Sequence, residues 1–487
     1  MTDLHDLTLT EQAAAIRGRT VSPTELVDHH LRRIEESNGA LGAYRTVDAS
    51  GARRAAAAVE ARLAAARDEE ELPPLLGVPL SVKDTWPVAG LPFTAGSAAF
   101  DDRTAPADAA VVGTLRAAGA VLLGTTTAAE FGCSSYTETV FATARSPHDL
   151  TRGAGGSSGG AAASVAAGLA AGALGSDGGG SIRIPAAACG VVGLKPSRGR
   201  VSPAPATDAL GLATAGPLAR TVADTALLLD VMAGSTPGDA AALPTPPAGY
   251  FRARAGRGPG PLRIGVLPRT AGQHPEAALA CRRTADLLAG LGHHVADAPP
   301  YDPAEYLADF TVLWSVLAAA VPVPPAREAL LAPLTRWLRE RGREHDAVRL
   351  YTAMASLSAT ARALCRRYAG FDAVLSPTTD QPPLPVGSLT DPDDPGRTFL
   401  RMLAHTPRTP LANLTGQPSI SLPLHRTPDG LPVGVMLTGR LHEEGVLLSL
   451  GAQLERARPW PRHAARPVAA RPGGAPGHGS GNCRVVP

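Results

Sequence analysis

Two glycine clusters, each containing a serine, lie close together in residues 153–185, which read GAGGSSGGAAASVAAGLAAGALGSDGGGSIRIP. Ser157 belongs to the first cluster and Ser181 to the second, 24 residues further on. Glycine adopts backbone conformations that other residues avoid, and it lets other groups approach the backbone closely. The small residues from Ala161 to Ala171 are typical of a helix that packs tightly against its neighbours. This segment therefore constrains the fold strongly, and its two serines require an explanation.

Three common interpretations of a serine-glycine segment fit poorly. A flexible linker would not be bounded by strand and helix signals. A phosphate-binding loop would need GK[ST] after the glycines, or GxGxxG between a strand and a helix. Residues 155–159 match the GxSxG elbow of α/β-hydrolases, which requires an acid and then a histidine downstream. The candidate histidines, none of which has a distinctive context, are His405, His425 and His442.

Lys83 follows a segment whose side chains alternate between two faces. In VPLSVK, Val78, Leu80 and Val82 would face one way and Ser81 and Lys83 the other, which predicts a strand. The ordinary interpretation of Lys83 is a solvated lysine at a strand end. The alternative is a general base, because serine–lysine arrangements are known variants of the serine–histidine–acid constellation.

The distribution of helix and strand signals predicts an α/β layered domain. Strands are predicted at 78–83, 120–123, 191–194, 262–266, 373–376 and 419–422, and helices at 110–118, 161–171, 276–291, 443–457 and through most of 300–370. Residues 463–487 are rich in Pro, Gly, Ala and Arg and contain no acidic residue, which predicts a disordered tail after a domain spanning 1–462.

Composition excludes several classes of function. The 46 basic and 44 acidic residues give no sign of a nucleic-acid-binding surface. Five scattered cysteines favour a reducing, cytoplasmic setting and predict neither a zinc site nor a disulfide framework. The amino terminus does not resemble a secretory signal, and the apolar run 312–321 is too short to cross a membrane.

Several ordered motifs together make the chain resemble the amidase signature family between about residues 8 and 460. They are LLGVPLSVKDTW, GAGGSSGG, SDGGGSIRIP, CGVVGLKPSRGRVS, GPLARTVADTALLLDVMAG, FDAVLSPTT, NLTGQPSISLPL and DGLPVGVMLTGR. The resemblance implies an α/β fold with a large mixed central sheet flanked by helices on both faces. It also implies an amidase that hydrolyses a carbon–nitrogen amide bond of a small-molecule or peptide-like substrate.

The resemblance also implies roles for three side chains. Ser181 corresponds to the family's nucleophile, Ser157 to its bridging serine in a cis peptide, and Lys83 to its base. A serine hydroxyl both donates and accepts hydrogen bonds, so Ser157 can pass a proton from Ser181 to a neutral lysine. Such a lysine needs a pKa of roughly 7–8, well below the reference value of about 10.4.

Further positions are implied around these three. The oxyanion hole would use N–H groups of the loop ending at the nucleophile, namely those of Gly178, Gly179, Gly180 and Ser181. Asp177 and Arg183 would brace that loop, and Phe131 and Gly132 would line the acyl pocket. Gly178 stands where the family often has a larger residue such as Thr, which puts the choice of substrate in question. The family chemistry requires neither a metal nor a cofactor.

Two alternatives and the question of partners stay open. The chain could be the glutaminase subunit of a tRNA-dependent amidotransferase, which would need a partner, or a non-catalytic scaffold of the same fold. The segment SPAPATDALGLATAGPLAR is more similar to free-standing amidases, and the intact Lys83, Ser157 and Ser181 argue against a scaffold. The expected partner is a small-molecule amide, without nucleic acid or membrane, and a homodimer is one arrangement compatible with the sequence.

Overall fold

The computed structural model describes residues 3–66, 72–206, 211–464 and 484–485. The strands of these ranges are Tyr44–Val47 (β1), Pro79–Lys83 (β2), Val121–Thr126 (β3), Arg145–Ser146 (β4), Asp149–Gly153 (β5), Gly172–Asp177 (β6), Val192–Lys195 (β7), Thr214–Ala219 (β8), Arg263–Val266 (β9), His294–Asp297 (β10), Ala373–Pro377 (β11), Ser419–Arg426 (β12), Pro432–Gly439 (β13) and Arg484–Val485 (β14).

Twelve of the described strands form one mixed sheet in the order β10-β9-β11-β13-β12-β7-β8-β6-β2-β3-β1-β14. In its middle, β2 pairs in parallel with both β3 and β6, whereas β6, β8, β7, β12 and β13 pair antiparallel in sequence along the sheet. β4 and β5 form a separate antiparallel pair. The parallel β2–β6 pair matters for function, because the carboxyl ends of parallel neighbours lie at the same edge of a sheet.

The described α-helices are Leu9–Arg17 (α1), Pro23–Leu41 (α2), Ala49–Ala65 (α3), Ala110–Ala117 (α4), Gly159–Ala166 (α5), Arg183–Cys189 (α6), Val222–Met232 (α7), Tyr250–Ala255 (α8), Pro275–Gly290 (α9), Leu307–Ala320 (α10), Pro333–Arg343 (α11), Ala347–Arg367 (α12), Pro395–His405 (α13), Thr409–Thr415 (α14) and Glu444–Ala457 (α15). In the described ranges, no helix is both long and apolar enough to span a membrane.

Helices cover both faces of the sheet because its strands alternate apolar residues between two cores. Leu122 and Leu174 belong to a core that includes residues of α4, α7 and α15. Their strand neighbours Val121, Leu123 and Ala173 belong to a second core with residues of α2, α3 and α5. The expected α/β fold, a large mixed sheet between two helical layers, is confirmed.

β2 has the predicted alternation, but its polar face is not solvated. Leu80 and Val82 pack in the first core. On the other face, Ser81 Oγ lies 2.9 Å from Ser164 Oγ of α5, and Lys83 is fully buried. The interpretation of Lys83 as a solvated strand-end lysine is therefore wrong, since α5 covers this face of the strand.

The helix expected at 161–171 is shorter and begins earlier than predicted. It spans Gly159–Ala166, and Gly168, with φ of 67°, takes the left-handed conformation that ends a helix. Alanine-rich composition alone does not encode this stop, and the chain enters β6 soon after it.

The predicted disordered tail, 463–487, lies mostly outside the described residues. Of this segment, His463 contacts Arg220, and Ala464 donates its N–H to the carbonyl oxygen of Ala166 at 3.1 Å. Further on, Arg484–Val485 pairs in parallel with β1 at one edge of the sheet. These four residues contact the domain, and the prediction for the rest of the tail stays a prediction.

Candidate active site

The three candidate catalytic residues meet at one edge of the sheet because of how β2, β6 and α5 are arranged. Lys83 is the last residue of β2, Ser181 follows β6, and Ser157 precedes α5. β2 and β6 are parallel neighbours, so both chains leave the sheet at the same edge. The N–H of Ser158 donates to the carbonyl oxygen of Ser181 at 3.2 Å, which joins the two glycine clusters directly.

The amine of Lys83 is buried and contacts two serine hydroxyls. Its Nζ lies 2.6 Å from Ser157 Oγ and 2.8 Å from Ser176 Oγ. Burial lowers the pKa of Lys83 to about 7, against the opposing effect of the negative charge on Asp177. A substantial fraction of this lysine is therefore neutral at physiological pH and able to accept a proton.

Ser157 lies between this lysine and the turn at residues 130–132. Its peptide bond with Gly156 is cis, as the family resemblance implies. Gly132 approaches so closely that a Cβ atom there would lie 3.4 Å from Ser157 Oγ. That distance is an ordinary contact, but the φ of 72° at Gly132 favours glycine, so a larger residue would strain the turn beside the Ser157 hydroxyl.

The backbone N–H groups of the loop from Asp177 to Ser181 fall into two sets: one is bonded within the loop, and the others have no acceptor among the described residues. Gly180 donates its N–H to Asp177 Oδ1 at 2.7 Å. The N–H groups of Gly178, Gly179 and Ser181 have no hydrogen-bond acceptor among the described residues. The expectation that Gly180 supplies an oxyanion-hole donor is therefore corrected, since its N–H is already used by the carboxylate that shapes the loop.

The carboxylate of Asp177 organises this loop. Its two oxygens accept hydrogen bonds of 2.9 Å each from Arg183, and both side chains are fully buried. Burial alone would raise the pKa of Asp177, but the Arg183 guanidinium and further hydrogen bonds hold it far below its usual range. Asn413 donates to the carbonyl oxygen of Asp177 at 2.8 Å and to Oδ1 at 3.0 Å.

Thr409 holds the same loop from outside. Its Oγ1 donates to the carbonyl oxygen of Gly179 at 2.7 Å, and its side chain lies against Gly180, whose φ is 129°. Only glycine adopts this backbone conformation readily. Gly179 and Gly180 are thus held in place by Thr409, and the backbone conformation of Gly180 requires a glycine.

A narrow cleft, which we call the catalytic cleft, opens beside Ser181 with a volume of about 40 Å³. Its lining includes Ser181, Gly132, Phe310, Trp314, Phe399 and Met402. The implied pocket residue Gly132 is thus brought to the cleft. Phe131 is not among the lining residues, and its ring packs against Phe100 with centroids 5.4 Å apart.

Other candidate groups lie elsewhere. A larger cavity of about 590 Å³ borders α12, but Lys83, Ser157 and Ser181 do not line it. His425 Nε2 lies 2.7 Å from a Glu276 carboxylate oxygen. In the described ranges, no histidine is hydrogen-bonded to Ser157 or Ser181, so nothing supports the GxSxG elbow interpretation.

One group of residues in the described chain has the spacing for a metal ion, and it lies at the amino terminus. It consists of Asp3, His5 and Asp6, and none of these lines the catalytic cleft. Cys133 is buried in the lining, and burial raises the pKa of its thiol to about 12. It is a small buried residue, as expected, and not a reactive thiolate.

Sequence reasoning missed four residues that contact the site. Asn413 stands in the motif NLTGQPSISLPL, and Ser176 directly precedes Asp177, so both lay within recognised segments. Thr409 and Trp314 had no such signal, because only tertiary packing brings α14 and α10 to the loop.

Comparison with known proteins gives one consistent family. The family model described as Amidase matches residues 25–448. A Mycobacterium tuberculosis protein named as an amidase, AmiB2, is 39% identical over 94% of this chain and 98% of its own length. The A-type subunit of the glutamyl-tRNA(Gln) amidotransferase of Roseiflexus sp. is 37% identical over 94% of this chain and 98% of its own. The solved structure of 6-aminohexanoate cyclic dimer hydrolase has a TM-score of 0.86 at 34% identity, covering 96% of this chain and 99% of that one.

Proposed function

Since the chain belongs to the amidase signature family of amide-hydrolysing enzymes, we propose that it cleaves its amide through an acyl-enzyme on Ser181. The observation that carries this proposal is the buried amine of Lys83, 2.6 Å from Ser157 Oγ. The pKa of about 7 at Lys83 supports the role of base. Among the described residues, no other titratable side chain is hydrogen-bonded to the hydroxyl of Ser157.

In the first step, the Ser181 Oγ forms a bond to the substrate's carbonyl carbon. Ser157 Oγ accepts the proton of Ser181 and gives its own proton to neutral Lys83, while the electron pair of the carbonyl π bond moves to oxygen. The N–H groups of Gly178, Gly179 and Ser181 are the donors for that oxyanion. Loss of one such donor typically costs about 10²–10³ in kcat.

In the second step, the carbonyl bond re-forms and the carbon–nitrogen bond breaks. The proton held by Lys83 returns through Ser157 to the leaving nitrogen, which departs as an amine or ammonia. Water then attacks the acyl-enzyme, giving its proton to the same relay, and the carboxylic acid leaves as Ser181 regains its hydrogen. Each proton taken up by Lys83 is released within one turnover, so the relay needs no external acid or base.

A second function, the glutaminase subunit of a tRNA-dependent amidotransferase, is favoured by one observation. The Roseiflexus amidotransferase protein is nearly as similar to this chain as AmiB2 is. We prefer a free-standing amidase acting on a small-molecule or peptide-like amide, because the segment 202–220 resembles those enzymes. Release of ammonia from glutamine by the isolated chain, faster than hydrolysis of any neutral amide, would favour the glutaminase function.

A fluorophosphonate probe tests the nucleophile directly. We expect covalent labelling that maps by mass spectrometry to Ser181, disappears in Ser181→Ala, and falls strongly in Lys83→Ala. The control is Ser358→Ala, which removes an exposed hydroxyl on α12 and should leave labelling unchanged. Hydrolysis of a panel of amides, measured in parallel, should be lost in Ser181→Ala. Labelling at another serine would refute the mechanism.

A further inference from the structure

The cavity of about 590 Å³ beside α12, which we call the α12 cavity, is lined by residues of α10, α12 and α14. Much of its wall is apolar, with Leu313 from α10, Leu357 from α12 and Leu414 from α14. Small-molecule sites in proteins typically measure about 300–1,000 Å³ and combine apolar walls with a few polar groups. The α12 cavity therefore has the size and the lining of a site for a small organic molecule.

The charged side chains of this lining all have the same sign. They are the guanidinium groups of Arg198, Arg362 and Arg366. No aspartate or glutamate of the described ranges lines the cavity. A ligand that enters it with a negative charge would therefore meet cationic side chains and no carboxylate that repels it.

Arg362 and Arg366 lie one helical turn apart on α12, and both are exposed. Side chains at this spacing are neighbours, and like charges there repel each other. Arg362 donates to Ser358 Oγ at 3.3 Å, but among the described residues neither arginine is paired with a carboxylate. Arg367 of the same helix, by contrast, pairs with Glu305 at 3.0 Å. An anion between Arg362 and Arg366 would supply the missing countercharge.

Arg198 brings a third guanidinium to the cavity from a different part of the chain. It donates to the carbonyl oxygens of Asn413 at 2.7 Å and Leu414 at 3.1 Å, in the last turn of α14. These bonds hold its side chain against the cavity wall. Cationic groups on two separate segments thus border the same apolar space.

We infer that the α12 cavity is a binding site for an organic monocarboxylate with an apolar body, such as a medium-chain fatty acid. The carboxylate forms charge-assisted hydrogen bonds with Arg362 and Arg366, which suit its planar shape. The apolar body is removed from water against the leucine side chains. Lys83, Ser157 and Ser181 do not line this cavity, so the inference does not depend on the function proposed above.

Matched ligands test the chemistry of the site. Calorimetry compares octanoate with 1-octanol, octylammonium, acetate and inorganic phosphate. Octanoate should bind about tenfold or more tightly than each of the others, because only it combines a carboxylate with an apolar body. Equal binding of octanol or octylammonium would show that the arginines do not select the ligand. Equal binding of acetate or phosphate would show that the apolar wall does not, and no binding of octanoate would also overturn the inference.

Variants of the lining test the position of the site. Arg362→Gln combined with Arg366→Gln should weaken octanoate binding about tenfold or more, and both positions are exposed, so the fold should be kept. Ala361→Trp fills the cavity without changing its charge and should also weaken binding. The control is Arg283→Gln, which alters an exposed arginine of α9 outside the lining and should leave binding unchanged. Wild-type affinity in the double variant would contradict the inference.

Blocking the nucleophile separates this site from the catalytic cleft. Octanoate should bind with unchanged affinity to protein whose reactive serine has been labelled to completion with the fluorophosphonate probe. Loss of octanoate binding on labelling would place the acid at the reactive serine and overturn the inference. Labelling at a serine other than Ser181, with octanoate binding kept and sensitive to the arginine substitutions, would refute the proposed mechanism and support the α12 site.

Discussion

The Nζ atom of Lys83 lies 2.6 Å from Ser157 Oγ and is completely removed from solvent. An ammonium group in such a place is costly, because it has lost its water shell. The neutral amine is correspondingly favoured, and it is the form that can accept the relayed proton. This single contact makes the pH dependence of the enzyme predictable.

Activity should rise with pH through the ionisation of Lys83. Burial lowers the pKa of this lysine to about 7, and only its neutral form is a base. We therefore expect log kcat/KM to rise about one unit per pH unit well below pH 7 and to level off above it. Rate profiles from pH 5.5 to 9 measure this. A profile that is flat or falls across the range would exclude Lys83 as the base.

Lys195 provides a matched control for that profile. It is also fully buried, and burial lowers its pKa to about 7, but its Nζ donates to the carbonyl oxygen of Pro196. Lys195→Met should keep the shape of the pH profile in the folded protein. Lys83→Ala should lose several orders of magnitude in kcat, as should Ser157→Ala, and the two losses should not add.

Ser176→Ala should lower turnover by about ten- to a hundredfold, because it removes one hydrogen bond to the Lys83 amine and that is the size of effect expected for a hydrogen bond to a charged group. Ser176 Oγ accepts from Lys83 Nζ at 2.8 Å and so orients the amine toward Ser157. The change should appear in kcat with KM little altered, and Ser176→Thr should restore most of the activity because it keeps the hydroxyl. If Ser176→Thr were as poor as Ser176→Ala, the hydroxyl would not be the group that matters.

Asn413→Ala should reduce both stability and turnover. Asn413 holds Asp177 through its amide nitrogen and accepts from Arg183 at 2.7 Å, so its loss should cost about 1–3 kcal/mol of unfolding free energy. The matched control is Asn38, a buried asparagine that exchanges two hydrogen bonds with the backbone of Tyr44. Asn38→Ala should lower stability but not kcat. Equal effects of the two variants on kcat would show that Asn413 acts only on stability.

Alanine at Gly178 and at Gly180 should have opposite effects on stability. At Gly178 a Cβ would make an ordinary contact with Trp314, so we expect equal stability or a gain of about 0.4–1 kcal/mol. At Gly180 the φ of 129° and the side chain of Thr409 oppose any Cβ, so Gly180→Ala should destabilise. Thermal unfolding of both variants measures this.

A larger side chain at Gly178 should also affect specificity. Gly178→Thr adds atoms against Trp314 beside Ser181 and should lower kcat/KM for a bulky amide more than for a small one such as acetamide. Equal losses with both substrates would mean that Gly178 serves the geometry of the loop and does not provide room for substrate.

Two truncations of the chain should differ in stability. Ending the chain at Ala464 removes the two-residue strand at Arg484, whose exposed ion pair is worth about 1 kcal/mol or less. Ending it at Arg462 also removes His463, which contacts the buried Arg220, and should cost about 1–3 kcal/mol more. Chemical denaturation of both forms tests this. Identical stability would show that His463 contributes nothing.

The sequence predicted the candidate site best where the position of a residue depends on the local backbone conformation. The period-two pattern of β2 predicted which face Lys83 occupies, and the glycine clusters marked the loops of Ser157 and Ser181. It could not show that Gly180 donates its N–H to Asp177, because that depends on the exact path of the loop. The sequence could not single out Trp314 either, because the apolar pattern of α10 is the pattern of any buried helix.

The two sides of the catalytic cleft have separate origins in the chain. Residues 132–184 contribute Ser181 and the turn against Ser157, whereas α10 and α13 contribute rings and a thioether but no member of the proton relay. We therefore expect substitutions on α10 or α13 to change which amides are cleaved more than they change the cleavage step itself. Directed evolution toward a new amide should accordingly begin with saturation libraries at Phe310, Phe399 and Met402 and keep the glycine clusters constant.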